Sequence, residues 1–362
     1  MGQLVARVLQ DRMPVSTSLT GIFRHAHSWL TYLVTIGALA WLLFNPLIGS
    51  VAVLLQRARI SPILFALALI AVLQWLRAWR FSMMLTADYH RSPSWAILRL
   101  TCHLSFLNLA LPFKVGDLSF PLLAKRALGT RIPHAAGTML WCRSIDLFVV
   151  VGLLLLYGAL SWSSGLAWGH RQLILGAASS CLLAPLALPT LVPTLLGLFG
   201  SRPALQSLRD GLAESTRLLQ GLGGRAFCLG VTMVIWFTHG WICYLAAVAV
   251  AGDLTFVAAA LAAAASNLAF ALPVTGVAGL GPPQAAWSAV LLLLGADWDV
   301  AVASALMVYG CLVLGSFLTA TATGLWPLDG LRLNRFSRVA GQARAHRAPP
   351  SVLHCRRGPH GT

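Results

Sequence analysis

An all-α, polytopic membrane protein follows from three features of this chain. Only 10% of its 362 residues are charged and 58% are hydrophobic, whereas a soluble globular protein carries about 25% charged residues. Several apolar runs reach the roughly 20 residues that a helix needs to span a bilayer. The basic residues fall in blocks between those runs, and the blocks favour one side of the membrane. The predicted architecture is six full spans plus two re-entrant hairpins, eight apolar segments in all, arranged as two inverted repeats.

Arg7, Arg12 and Arg24 precede the first apolar run. No small-residue cleavage site stands out after it, so residues 1–28 read as a cytoplasmic segment ahead of an anchor. Full crossings are expected over 29–48, 60–78, 140–161, 173–199, 226–251 and 300–324. Two further segments are interrupted: 95–128 breaks at Pro112 to Gly116, and 254–296 breaks from Pro273 to Pro283. Proline removes a backbone donor and disturbs the preceding turn. Backbone exposed this way inside a bilayer must find partners in protein or line a wet cavity. A plain proline kink held by neighbouring helices is the other explanation. The transmembrane domain is expected over 29–325, with repeat one about 29–161 and repeat two about 173–324. Residues 326–362 are polar and rich in Arg, Gly, Pro and His, which predicts a disordered basic cytoplasmic tail.

The two interrupted segments share an order of features. Asn108-Leu109-Ala110-Leu111-Pro112 is followed by Gly116 and by Leu128-Gly129; Asn267 through Pro273 is followed by Gly279, Gly281 and Leu294-Gly295. A long span comes next in both. Each unit reads span, span, hairpin, span, an odd number of crossings, so tandem copies face opposite ways. Transporters built on inverted repeats bind substrate near such broken helices.

The chain has 26 basic and 10 acidic residues, a net charge of +16. With a cytoplasmic N-terminus, and each hairpin entering and leaving on one side, 23 basic residues fall on the cytoplasmic side. Only Arg57, Arg59 and Arg171 fall on the other. This asymmetry predicts a bacterial inner-membrane protein with both termini cytoplasmic, and an affinity for anionic lipid and not for nucleic acid.

Ionisable residues in spans are functional candidates. Arg77 and Arg80 lie three apart on one face near the end of the second span. Snorkelling beside Trp75 and Trp79 accounts for Arg77, and Arg80 fits either role. Lys114 and Asp117 lie inside the first interrupted segment and are expected to be paired. Arg143 and Asp146 read either as a structural ion pair or as a headgroup site. In the second reading Arg143 grips a phosphate or other anion with forked donors and Asp146 holds it in place. Alanine at either position is then expected to abolish function without unfolding the protein. The candidate binding set is Arg80, Lys114, Asp117, Arg143 and Asp146. The candidate hairpin-loop set is Asn108, Pro112, Gly116, Asn267, Pro273, Gly279, Gly281 and Gln284. The repeat matches Arg143 with Tyr309, each fourteen residues after the Leu-Gly glycine.

No GxSxG, HExxH or P-loop signature occurs, so no catalytic residue, metal or cofactor is expected. The seven cysteines are odd in number and lack a CxxC pair; they read as small apolar residues.

These marks together resemble a known family, the membrane proteins related to the transmembrane, flippase-like part of lysylphosphatidylglycerol synthase. They are Leu76-Arg77-Ala78-Trp79-Arg80, Asn108 through Pro112 with Gly116-Asp117, Arg143-Ser144-Ile145-Asp146, and Gly279-Leu280-Gly281 with Gly295. The resemblance covers about residues 30–325 and implies two re-entrant hairpins and a role in moving lipids or lipid-linked glycans between leaflets. With no soluble aminoacyl-transferring domain legible in the sequence, the chain is not expected to be a lysyl-lipid synthase. It departs from the family pattern at Asp117, where glutamate is expected, and at Gln284, near where an acidic residue often follows the late glycines. The neutral Gln284 weakens the case for proton coupling through that hairpin. A non-catalytic accessory subunit with a protein partner in an envelope-lipid pathway, or a lipid headgroup transferase, are the competing expectations.

Overall fold

A computed structural model describes residues 48–86, 93–111, 115–161, 168–189, 203–216, 221–271 and 279–324, and the regular structure among them is all helical. The helices are α1 (Ile48–Gln56), α2 (Ile60–Thr86), α3 (Trp95–Ala110), α4 (Val115–Leu128), α5 (Ile132–Ser161) and α6 (Trp168–Leu183). They continue as α7 (Pro203–Ser215), α8 (Leu222–Ala251), α9 (Phe256–Ala271), α10 (Pro282–Leu293) and α11 (Trp298–Ala322).

Among the described residues four helices, α2, α5, α8 and α11, are long and apolar enough to cross a membrane. With 25 to 30 residues each, at about 1.5 Å per residue, they exceed the roughly 30 Å of a hydrocarbon core. They match the crossings expected at 60–78, 140–161, 226–251 and 300–324. The crossing expected at 29–48 lies outside the described residues except for Ile48, as do residues 1–28 and 326–362. The one expected at 173–199 is interrupted. Helix α6 ends at Leu183 and gives way to a 3-10 turn over Ala184–Leu186, because Pro185 cannot donate to a continuing helix.

Helix α3 ends at Ala110 and helix α9 at Ala271; Pro112 and Pro273 lie outside the described residues. Helices α3 and α9 have 16 residues each, about 24 Å at 1.5 Å per residue, too short to cross alone. In each hairpin the two arms pack together. Gly116 is not a loop residue, as expected from sequence, but sits in the first turn of α4. A Cβ there would collide with the Asn108 side chain and the Leu104 carbonyl, so the glycine lets α4 lie directly on α3. Gln284 is likewise helical. Its side-chain oxygen accepts the Gly281 N–H at 2.8 Å, capping α10 where Gly281 takes a φ of +111° that other residues avoid. Asn108 and Asn267 also lie within helices, near the C-terminal ends of α3 and α9.

Helices α2 and α8 run antiparallel. The Arg59 N–H at the start of α2 donates to the Ala249 carbonyl at the end of α8, 2.9 Å away, and Trp79 meets Phe227 with ring centroids 5.8 Å apart. The core joins α2, α8, α9, α10 and α11 through Leu73, Ile235, Ile242, Trp287 and Leu291. Ala246, Ala259, Ala262 and Ala301 let the backbones approach, as small residues do between membrane helices. Large side chains face outward without cover: Phe65 is 66% exposed, Leu118 76% and Leu173 73%. That is an inside-out surface for water and the ordinary one for lipid. Helix α7 was not expected from the sequence. It crosses the first turns of α5 where Gly137 and Gly211 leave no room for a Cβ, and the Ser215 hydroxyl meets that of Thr138 at 3.1 Å.

Candidate functional site

A cavity of about 450 Å³ lies inside the bundle. Helix α2 gives it one helical stripe, Ile70, Leu73, Gln74, Arg77, Arg80 and Phe81, and α5 gives Arg143, Asp146, Leu147 and Val150. Both follow the three-and-four spacing of a single helix face. Asn108 and Asn267 enter from α3 and α9 of the two hairpins, Trp236 and His239 from α8, and Tyr309 from α11. Arg77 lies 17 residues along α2 and Asp146 14 residues along α5, about 26 Å and 21 Å from those helix starts at 1.5 Å per residue. The cavity is therefore well inside both helices.

Its charges form two linked layers. In the deeper one Arg80, 3% exposed, makes a forked pair with Asp146. Nη1 donates to Oδ1 at 2.6 Å and Nη2 to Oδ2 at 2.9 Å. Arg80 Nη1 also donates to Thr232 Oγ1 at 3.1 Å, and Trp236 Nε1 donates to Asp146 Oδ1 at 3.0 Å. In the outer layer Arg143 forks onto Asp117, Nε to Oδ2 at 2.7 Å and Nη2 to Oδ1 at 2.5 Å. Asn108 clamps the same residue from both ends. Its Nδ2 donates to Asp117 Oδ1 at 2.6 Å, and its Oδ1 accepts the Asp117 N–H at 2.9 Å. Arg143 Nη1 then reaches Asp146 Oδ2 at 3.5 Å.

The sequence reading paired Arg143 first with Asp146, its neighbour on α5. The structure gives Asp146 mainly to Arg80 and gives Arg143 mainly to Asp117. The reason is geometric. Helix α4, brought in by Gly116, sets Asp117 beside the guanidinium, whereas Asp146 lies one turn deeper against α2 and α8. In each fork the partner guanidinium and the added hydrogen bonds take the place of water around the carboxylate. Neither aspartate is left as a free base.

Arg77 departs from expectation. It lies on the Arg80 face, nine residues before the end of α2, so it lines the cavity and does not snorkel outward. It is half-buried. Among the described residues it has no ion pair or hydrogen bond. Among the described residues the wall thus holds three guanidinium groups against two carboxylates.

His239 is 6% exposed. Asn267 Nδ2 donates to the Ala263 carbonyl at 2.8 Å, which fixes the amide orientation, since a carbonyl only accepts. The same nitrogen lies 3.0 Å from His239 Nε2, so Nε2 accepts and the ring proton sits on Nδ1. His239 Nδ1 is buried without a partner, and so is Arg80 Nε. A buried N–H without an acceptor costs about 1–3 kcal/mol. Both orphaned atoms in this wall are donors.

Of the predicted residues, Arg80, Asp117, Arg143, Asp146, Asn108 and Asn267 share the cavity. Lys114, Pro112 and Pro273 lie outside the described residues. Gly279 lies against Tyr309, whose hydroxyl donates to the Leu109 carbonyl at 3.4 Å, so the break of one hairpin abuts the end of the other. Arg77, Thr232, Trp236 and His239 were not selected from the sequence. Trp236 and His239 carried a signal in their polar atoms within an apolar span, but their partners lie on other helices.

A family model described as the lysylphosphatidylglycerol synthase TM region matches residues 28–319. No curated protein matches the chain, and no solved structure does.

Proposed function

The chain belongs to the family of the lysylphosphatidylglycerol synthase TM region, and from that premise we propose a lipid or glycolipid flippase of the bacterial inner membrane that carries out no covalent chemistry. The observation that carries this reading is the charged cavity inside an otherwise apolar bundle, lined from both helix pairs, α3 with α4 and α9 with α10. Charge inside a membrane is costly and marks a substrate path. An excess of guanidinium over carboxylate suits an anionic or phosphate-bearing headgroup.

Inverted repeats are part of the proposal. Helices α4 and α10 both end at a glycine of positive φ, Gly129 at +69° and Gly295 at +88°, and a long helix follows each. Arg143 and Tyr309, matched by the repeat, line one cavity, as do the matched Asn108 and Asn267. The antiparallel course of α2 and α8, the corresponding spans of the two units, is what inversion requires. Cytoplasmic termini are also proposed. Arg77, Arg80 and Arg143 face the cavity and drop out of the loop count, leaving 20 basic residues against 3, still a strong positive-inside bias. A non-catalytic role is supported by the commitment of both aspartates to arginines.

The test is leaflet exchange in proteoliposomes carrying labelled anionic, zwitterionic and polyisoprenoid-linked lipids. Wild type is expected to exchange at least one class. Arg143→Ala, which frees Asp117 from its fork, is expected to slow exchange by about tenfold or more, the scale of one charge-assisted contact. No exchange of any lipid, with or without an ion gradient, would leave the accessory-subunit reading in its place.

A further inference from the structure

We propose that Arg77 and His239 form the anion seat of this cavity and that the seat takes the phosphate group of a membrane phospholipid. The inference rests on the flippase reading and narrows it, moving the headgroup contact from Arg143 to another part of the wall.

Arg143 spends Nε and Nη2 on Asp117 and turns Nη1 toward Asp146. Arg80 spends both terminal nitrogens on Asp146. A ligand anion at either guanidinium must compete with a carboxylate already in a forked geometry. Arg77 has no such competitor among the described residues, and it is open enough to be reached. Its charge is the one left over when the two carboxylates are matched with their arginines. His239 lines the same cavity with its proton on Nδ1 and no acceptor for it. That nitrogen is closed to water in this conformation, so an incoming oxygen engages it after a side-chain shift. Asn267 keeps the seat selective. By occupying Nε2 it prevents the ring from offering a lone pair to the cavity, so the unused capacity is donor-only. A ligand that completes it brings acceptors and negative charge and no donor. A phosphodiester has that character: oxygens only, one negative charge, and a planar edge that fits a guanidinium fork.

The second half supplies His239 and Asn267, and the first supplies Arg77. A phosphate on the seat would therefore touch both halves, which a group carried between two moving halves must do.

The decisive experiment titrates the purified full-length chain in neutral detergent with three probes: dihexanoyl phosphatidylglycerol, the phosphate-free dihexanoylglycerol, and inorganic phosphate. Wild type is expected to bind the phospholipid and not the diglyceride, and to bind inorganic phosphate about tenfold or more weakly. Arg77→Gln and His239→Phe are each expected to weaken phospholipid binding about tenfold to hundredfold, the range for a charge-assisted hydrogen bond. Arg77→Lys keeps the charge but not the fork, and is expected to lose about threefold to tenfold. Thermal unfolding of each variant without ligand separates lost binding from lost fold. Unchanged affinity in a folded Arg77→Gln variant overturns the seat, as does equal binding of the diglyceride. Inorganic phosphate binding as tightly as the phospholipid overturns the lipid source. Leaflet exchange run in parallel tells the two readings apart. Exchange that ignores Arg77 sinks the seat alone, and Arg77-dependent binding without exchange sinks transport alone.

Discussion

Asp146 and Arg143 look interchangeable in sequence, three residues apart on one helix face, yet the structure gives them different work. Asp146 neutralises Arg80 at a site 3% exposed. Asp146→Ala leaves that guanidinium buried and unpaired, a change that costs about 3–5 kcal/mol in comparable buried pairs. The expected result is a protein that unfolds at much lower temperature or denaturant, with the double change Arg80→Met and Asp146→Leu recovering much of the loss. Arg143→Ala, at a side chain 43% exposed, is expected to keep the wild-type unfolding midpoint within a few degrees. Identical midpoints for the two single alanine variants would contradict this division. The cavity residues were legible in part because charge in an apolar span is conspicuous. Their pairing was not legible, because Arg80 and Asp146 are 66 positions apart. The same blindness hid Arg77: nothing within its own helix shows which of two arginines has a carboxylate waiting on another helix.

Helices and their joints were more readable. Proline and glycine interrupt hydrogen bonding wherever they fall, and α3 and α9 end at Ala110 and Ala271, just before the expected breaks. The close approach of α4 to α3 could not be placed, since it depends on what lies opposite Gly116. Gly116→Val puts a side chain into Asn108 and the Leu104 carbonyl. It is expected to push α4 away, detach Asp117 from Arg143, and reduce leaflet exchange as far as Arg143→Ala does, with a lowered unfolding midpoint. Gly176→Val serves as the control, since nothing lies within 4 Å of that position; equal behaviour of the two variants would argue against close packing as the cause. Helix α7 is hard to see in sequence because it lies between two apolar runs in a stretch, 202–225, that carries four arginines and resembles a connecting loop. Its signal was the spacing of Leu205, Leu208 and Leu212, one apolar stripe, of which Leu212 is 3% exposed.

For the molecule as a whole, the count of spans and the two-sided charge pattern make an orientation testable. In a cysteine-depleted background, Arg209→Cys on α7 is expected to react with an impermeant maleimide only after the inner membrane is opened. Arg57→Cys, at the end of α1, is expected to react in intact spheroplasts. The reverse pattern would invert the orientation proposed here. The all-helical class and most crossings were readable because bilayer thickness sets helix length; the break at Pro185 was not, since the apolar run over 173–199 is long enough to span despite its three prolines. All five described charges of the cavity, Arg77, Arg80, Asp117, Arg143 and Asp146, lie between residues 77 and 146, and the described lining residues of α8 to α11 include no Asp, Glu, Lys or Arg. Among the described residues the charges of the cavity therefore sum to one net positive, which a phosphodiester would cancel. A membrane potential acts on charge that moves, at about 2.3 kcal/mol per elementary charge per 100 mV for a full crossing. On the proposed flippase reading, voltage is expected to bear on the return of the unloaded protein and to leave the loaded step nearly untouched. Under an imposed potassium diffusion potential, net uptake should depend on the sign of the voltage, while exchange between two lipid-loaded leaflets should not.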